Sequence, residues 1–187
     1  MSIHTKMTIV AVLASVLLIS GQVICSAECL PEKFCDLEPA GFRGIDWGTN
    51  IFDVRDMKLI KASHNGKMRV YIKENENLSF ADTGIERVTY SFWEGRFVEI
   101  FINTSGSENW HSLKDSIFSL YGPGIKDNTY EERYDWHGKI TSIHLDHKSS
   151  MKMTSLVFTS AKDEEGIREH ILNEGEFNKK GSFYKFK

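Results

Sequence analysis

Glu86-Arg87-Val88-Thr89-Tyr90-Ser91-Phe92-Trp93-Glu94-Gly95-Arg96-Phe97-Val98-Glu99-Ile100-Phe101-Ile102-Asn103 is the stretch on which the fold turns. In its first limb Val88, Tyr90 and Phe92 recur at every second residue, the pattern of a half-buried strand. Glu94-Gly95 supplies a turn. In the second limb Phe97, Glu99 and Phe101 alternate with Val98, Ile100 and Ile102. Two such limbs around a short Gly-containing turn predict a β-hairpin. The alternation assigns Val98, Ile100 and Ile102 to the apolar face of its second strand.

Outward from the hairpin, Met68-Arg69-Val70-Tyr71-Ile72-Lys73 alternates in the same way behind a His64-Asn65-Gly66 turn. Thr49 or Asn50 can cap a short helix from Ile51 to about Met57. On the other side, Ser105-Gly106-Ser107-Glu108 reads as a capping box, Ser105 receiving and Glu108 reaching back. Trp110, Leu113, Ile117 and Leu120 follow on one helix face, and Gly122-Pro123 ends it. Strands are predicted at Tyr130–Trp136, Lys139–His147 and Met151–Ser160, with a last helix from Asp163 to Glu174. The order helix-βββ-helix-βββ-helix predicts an α+β domain. Its antiparallel sheet would have about six strands, with the helices packed on one face. Both halves carry an aromatic-Gly turn, Trp93-Glu94-Gly95 and Trp136-His137-Gly138. Two meanders explain that likeness more simply than a duplication, because turn chemistry repeats such patterns.

The N-terminus reads as an export signal. Lys6 precedes an apolar run of about 13 residues, short of the roughly 20 that span a bilayer. Small residues lead to Ala27, after which cleavage is expected. The predicted organisation is a cleaved signal peptide over 1–27, a lead-in over 28–40, a single domain over 41–175 and a basic-aromatic tail over 176–187. Cys25 is the acylation site if the chain is a lipoprotein, although bulky Ile24 precedes it. Cleavage after Ala27 leaves Cys29 and Cys35, a pair suited to a disulfide in an oxidising compartment. It also removes one lysine, leaving 22 basic against 26 acidic residues and a formal net charge of −4. A mildly acidic chain excludes the basic surface of a nucleic-acid binder.

Gly41-Phe42-Arg43-Gly44-Ile45-x-Trp47-Gly48-Thr49, Phe97-Val98-x-Ile100, Tyr121-Gly122-x-Gly124 and Tyr134-x-Trp136-x-Gly138 resemble a group of uncharacterised bacterial exported domains. The likeness covers most of residues 41–160 and implies no activity. Gly48-Thr49 followed by Val54 also resembles the helix start of small outer-membrane-assembly lipoproteins, whose fold is a helix-backed antiparallel sheet. Fold likeness alone would not confer function.

Candidate chemistry is sparse. His144-Leu145-Asp146-His147 is the densest cluster of ligand-type side chains. On a strand, His144 and Asp146 share one side, and His137 at the preceding turn can approach them. A metal site needs three or four converging donors, so His137, His144 and Asp146 are the candidate set. The plainer reading is a solvated strand end. No Gly-x-Ser-x-Gly elbow and no phosphate-binding loop occurs. Trp93 and Trp136, each just before a turn, are candidates for a binding surface, with core packing as the default. The tail mixes lysines with Phe183, Tyr184 and Phe186. It can contact an anionic membrane, serve as a guarded edge strand or be a frayed terminus.

The leading expectation is an exported, periplasmic or secreted, non-enzymatic module that binds a protein or envelope component and needs no cofactor. The alternatives are a metal-dependent or hydrolytic enzyme using His137, His144 and Asp146, and an envelope-assembly accessory lipoprotein.

Overall fold

The computed structural model describes residues 29–63, 66–126 and 132–174. The expected signal peptide with Ala27 and Cys25, residues 64 and 65 of the first turn, and the basic-aromatic tail lie outside the described residues.

The chain opens with a helical turn, α1 (Glu32–Cys35), and a small hairpin of β1 (Gly41–Phe42) and β2 (Ile45–Asp46). A 3₁₀ turn at Ile51–Asp53 leads to β3 (Met57–Ala62) and β4 (Met68–Lys73). A second small hairpin, β5 (Ser79–Phe80) and β6 (Thr83–Gly84), precedes β7 (Arg87–Trp93) and β8 (Arg96–Ser105). Helix α2 (Ser107–Tyr121) is followed by β9 (Ile125–Lys126), β10 (Glu132–His137), β11 (Thr141–Lys148), β12 (Met153–Ser160) and α3 (Ala161–Glu174).

Eight of these strands form one antiparallel sheet in the order β3-β4-β7-β8-β12-β11-β10-β9. This overturns the expected α+β layout of about six strands alternating with helices. Strands occupy 48% and helices 22%, so the architecture is predominantly β. Two meanders meet at the central β8–β12 pair. Each is followed by a helix, and the helices take opposite faces. Trp110 of α2 stacks on His147 of β11, with ring centroids 4.6 Å apart. Glu164 of α3 accepts a hydrogen bond from Ser142 of the same strand at 2.8 Å. His147 and Ser142 differ by an odd number of residues, so they point to opposite sides. A two-fold axis through the sheet would have put both helices on one face.

Two local causes explain the corrections. The helix expected from Ile51 to Met57 is only a 3₁₀ turn, because Val54 is already extended and Asp56 has φ of 63°. The chain then runs on as β3. Its Lys58-Leu59-Ile60-Lys61 does not alternate, because the register with β4 shifts between Leu59 and Lys61. The second cause lies inside the hairpin itself. Ser91 pairs with Glu99 and Phe92 with Phe97, leaving Val98 as the extra residue of a β-bulge. Phe97, Ile100 and Ile102 therefore share the α2 core, whereas Val98 packs with Ile167 of α3.

The main core lies between the sheet and α2, whose Trp110, Leu113 and Ile117 are buried as their spacing predicts. Leu120 is exposed. No capping box forms at the start of α2. Gly106 occupies the cap, and Asn109 Nδ2 clamps the end of β8 by donating to Thr104 Oγ1 at 3.0 Å and Ser105 O at 2.9 Å. The lead-in belongs to the fold. Phe34 is fully buried against Tyr121, with centroids 5.4 Å apart. Leu30 exchanges two 2.8 Å backbone hydrogen bonds with His137. The Glu38 carboxylate accepts from the Thr141 N–H at 3.1 Å and the Ile140 N–H at 2.5 Å. Cys29 and Cys35 are disulfide-bonded, closing this segment into a loop.

Candidate functional site

The site is built by register on the α3 face of the sheet. Residues opposite one another in an antiparallel pair share a face. The pairings of β10, β11, β12, β8 and β7 therefore generate rows across five strands. One row is Arg133, Asp146, Ser155, Asn103 and Arg87. The next is Asp135, His144, Val157, Phe101 and Thr89. The third is His137, Ser142, Thr159, Glu99 and Ser91.

The start of α3 lies over the third row. Ser160 Oγ donates to Asp163 at 2.9 Å, fixing the first turn of α3. Ser142 Oγ donates to Glu164, and Ile167 rests on Val98. Beneath, Ser91 Oγ donates to the buried Glu99 carboxylate at 2.9 Å. The β10–β11 ends of the other two rows stay partly exposed. His144 Nδ1 meets Asp135 Oδ1 at 2.6 Å, and Arg133 Nη2 meets Asp146 Oδ2 at 3.3 Å. The second Asp146 carboxylate oxygen, Oδ1, is buried without a hydrogen-bond partner. The His137 ring lies 6.2 Å from that of His144, nearly perpendicular to it.

A carboxylate on Nδ1 fixes the imidazole and leaves Nε2 as the working nitrogen, the orientation a general base needs. The remaining parts of a hydrolytic centre are not assembled among the described residues. Ser142 gives its proton to Glu164. Cys29 and Cys35 are joined to each other. The expected trio of His137, His144 and Asp146 lies on one face but does not converge. Asp135, not Asp146, holds His144, and Asp146 is taken by Arg133. No group of three or more His, Cys, Asp or Glu among the described residues is placed to hold a metal ion.

The two tryptophans separate. Trp136 is fully buried, its Nε1 donating to Gly122 O at 3.0 Å, so it offers no binding surface. Trp93 is half-buried beside Val98 and Ile167, with Lys67 Nζ 5.7 Å from its ring centre. Asp135 and Arg133 were missed by sequence reasoning. The expected two-residue turn at His137-Gly138 would have set Asp135 opposite Ile140; the observed register pairs His137 with Ser142 and so brings Asp135 to His144.

A second charged cluster is structural. Arg43 in the β1–β2 turn pairs with Glu76 and donates to Asn77 O and Ser79 O, each at 2.6 Å. The Tyr90 hydroxyl donates to the same carboxylate. Burial, reinforced by Glu76, pushes the Tyr90 phenol far above its ordinary range, so it stays protonated and keeps donating to that carboxylate. At the far side of the sheet, burial and Glu132 push the Tyr134 phenol up to about 12. Its hydroxyl, donating at 2.5 Å, holds the Glu132 carboxyl below its usual value.

No helix among the described residues is long and apolar enough to cross a membrane. No family model, curated protein or solved structure matches the chain.

Proposed function

We propose that the protein is an exported, non-enzymatic binding module of the cell envelope, and that a protein or envelope component docks on the α3-face rows beyond the start of the helix. The observation carrying this reading is the pairing of Arg133 with Asp146 beside Asp135 with His144. The Arg133 and His144 side chains are 31% and 36% exposed, and no nucleophile among the described residues is aligned with the histidine. The Arg133–Asp146 ion pair and the Asp135–His144 hydrogen bond hold these side chains in fixed geometry, which favours recognition over chemistry. The Cys29–Cys35 bond supports an oxidising compartment, and the pattern before Ala27 supports export.

Two measurements test it. Mass spectrometry of the protein from its native host should find a mature N-terminus at Glu28. A photo-crosslinking residue at position 133 should give a discrete adduct in cells, absent when the same group is placed at Asp36. An unprocessed cytosolic protein, or equal labelling from both positions, overturns the reading.

A further inference from the structure

The edge of the sheet formed by β3 lies apart from the α3-face rows. β3 is the outermost strand and pairs only with β4 among the described residues. Five of its six residues are exposed, Met57 alone being half-buried. Such an edge presents a row of backbone N–H and C=O groups to an incoming strand. The opposite edge, β9, is only two residues long.

The side chains of β3 divide by face. Met57 lies opposite Lys73 and Leu59 opposite Tyr71, whose ring belongs to the α2 core. Lys58 lies opposite Ile72 and Lys61 opposite Val70, on the other face. Ile60 is the extra residue at the register shift. The edge is thus apolar on one side and basic on the other. Leu59 is 50% and Ile60 39% exposed, and no element among the described residues covers the strand. Neither lysine forms an ion pair or hydrogen bond within the described structure.

We infer that β3 accepts an extended segment of a partner protein in which acidic and apolar residues alternate. Added to the edge, its apolar side chains would lie beside Met57 and Leu59, and its carboxylates beside Lys58 and Lys61. The lysines also decide against the simplest competitor. A second copy pairing through β3 would bring its own Lys58 and Lys61 against these two, and like charges across strands are destabilising. Charge thereby selects the partner as well as guarding the edge.

The test is an NMR titration of the full, disulfide-bonded chain with a blocked synthetic peptide of alternating Glu and Val, about eight residues long to match an ordinary strand. The expected result is saturable shifts confined to the β3 amides and their slower hydrogen exchange. The double variant Lys58→Glu/Lys61→Glu, both sites being exposed, should keep the wild-type spectrum elsewhere and bind this peptide about tenfold or more weakly. It should instead take a Lys/Val peptide. Undiminished binding by the variant, or no β3 response at millimolar peptide, overturns the inference. So does concentration-dependent protection of β3 without peptide, which would make a second copy the occupant. Because no residue of the α3-face rows is used, crosslinking at position 133 succeeds or fails separately.

Discussion

A single buried imidazole shows how environment sets charge in this protein. His147 lies flat against Trp110, with its Nδ1 2.9 Å from Thr154 Oγ1. Burial lowers its pKa below the ordinary 6.5, against the opposing pull of Asp146 and Glu132. The folded state therefore binds fewer protons than the unfolded chain as pH falls through that ordinary value. The resulting stability is complete above about 6.5 and declines below it. Urea denaturation at pH 7.5 and pH 5.5 should show this loss, and His147→Gln should shrink it. An unchanged pH dependence in that variant would assign the effect elsewhere. The histidines also mark what a residue-by-residue reading can resolve. The placement of His144 and Asp146 on one face was legible from alternation alone, whereas His137, read as a turn residue, is the last residue of β10 on that face. Which acid held His144 was not legible, because alternation gives a side chain its face while only register gives it a neighbour.

Two extra residues separate the expected elements from the observed ones. Val98 belongs by alternation with Ile100 and Ile102, but one bulge turns it outward to Ile167. The error was hidden by apolar side chains on both faces of β8, so either phase read well. Ile60 did the reverse: its bulge broke the alternation of β3, so that no strand was expected after Met57. The start of α2 was misread for a related reason. Ser105 is consumed by β8 and donates to Glu86, so it cannot also cap. Asn109 takes over by gripping Thr104 and Ser105. Asn109→Ala should cost about 1 kcal/mol in chemical denaturation, while Glu108→Ala should stay within about 0.5 kcal/mol. The opposite ranking would restore the capping box.

At the scale of the molecule, the β7–β8, β10–β11 and β11–β12 hairpins were legible because each is local, whereas β3 and the β8–β12 seam were not. The seam joins Ser105 to Met153, and nothing in either strand names the other. The lead-in was likewise hidden, since Leu30, Phe34 and Leu37 are scattered through a polar, proline-containing stretch without a strand or helix period. Its burial predicts an order of effects. Phe34→Ala should cost about 3–5 kcal/mol, and Cys29→Ser/Cys35→Ser about 2 kcal/mol, because so short a loop restricts the unfolded chain little. Equal losses in calorimetric or urea unfolding would show that the bond, not the ring, anchors the segment. The same docking has a consequence in time. Residues 30 to 38 are made early, yet their partners Tyr121, His137, Ile140 and Thr141 are made some hundred residues later. During synthesis the segment must wait, with its aromatic ring unhoused, until the C-terminal meander emerges. The first part of the described chain to appear is therefore among the last to find its place.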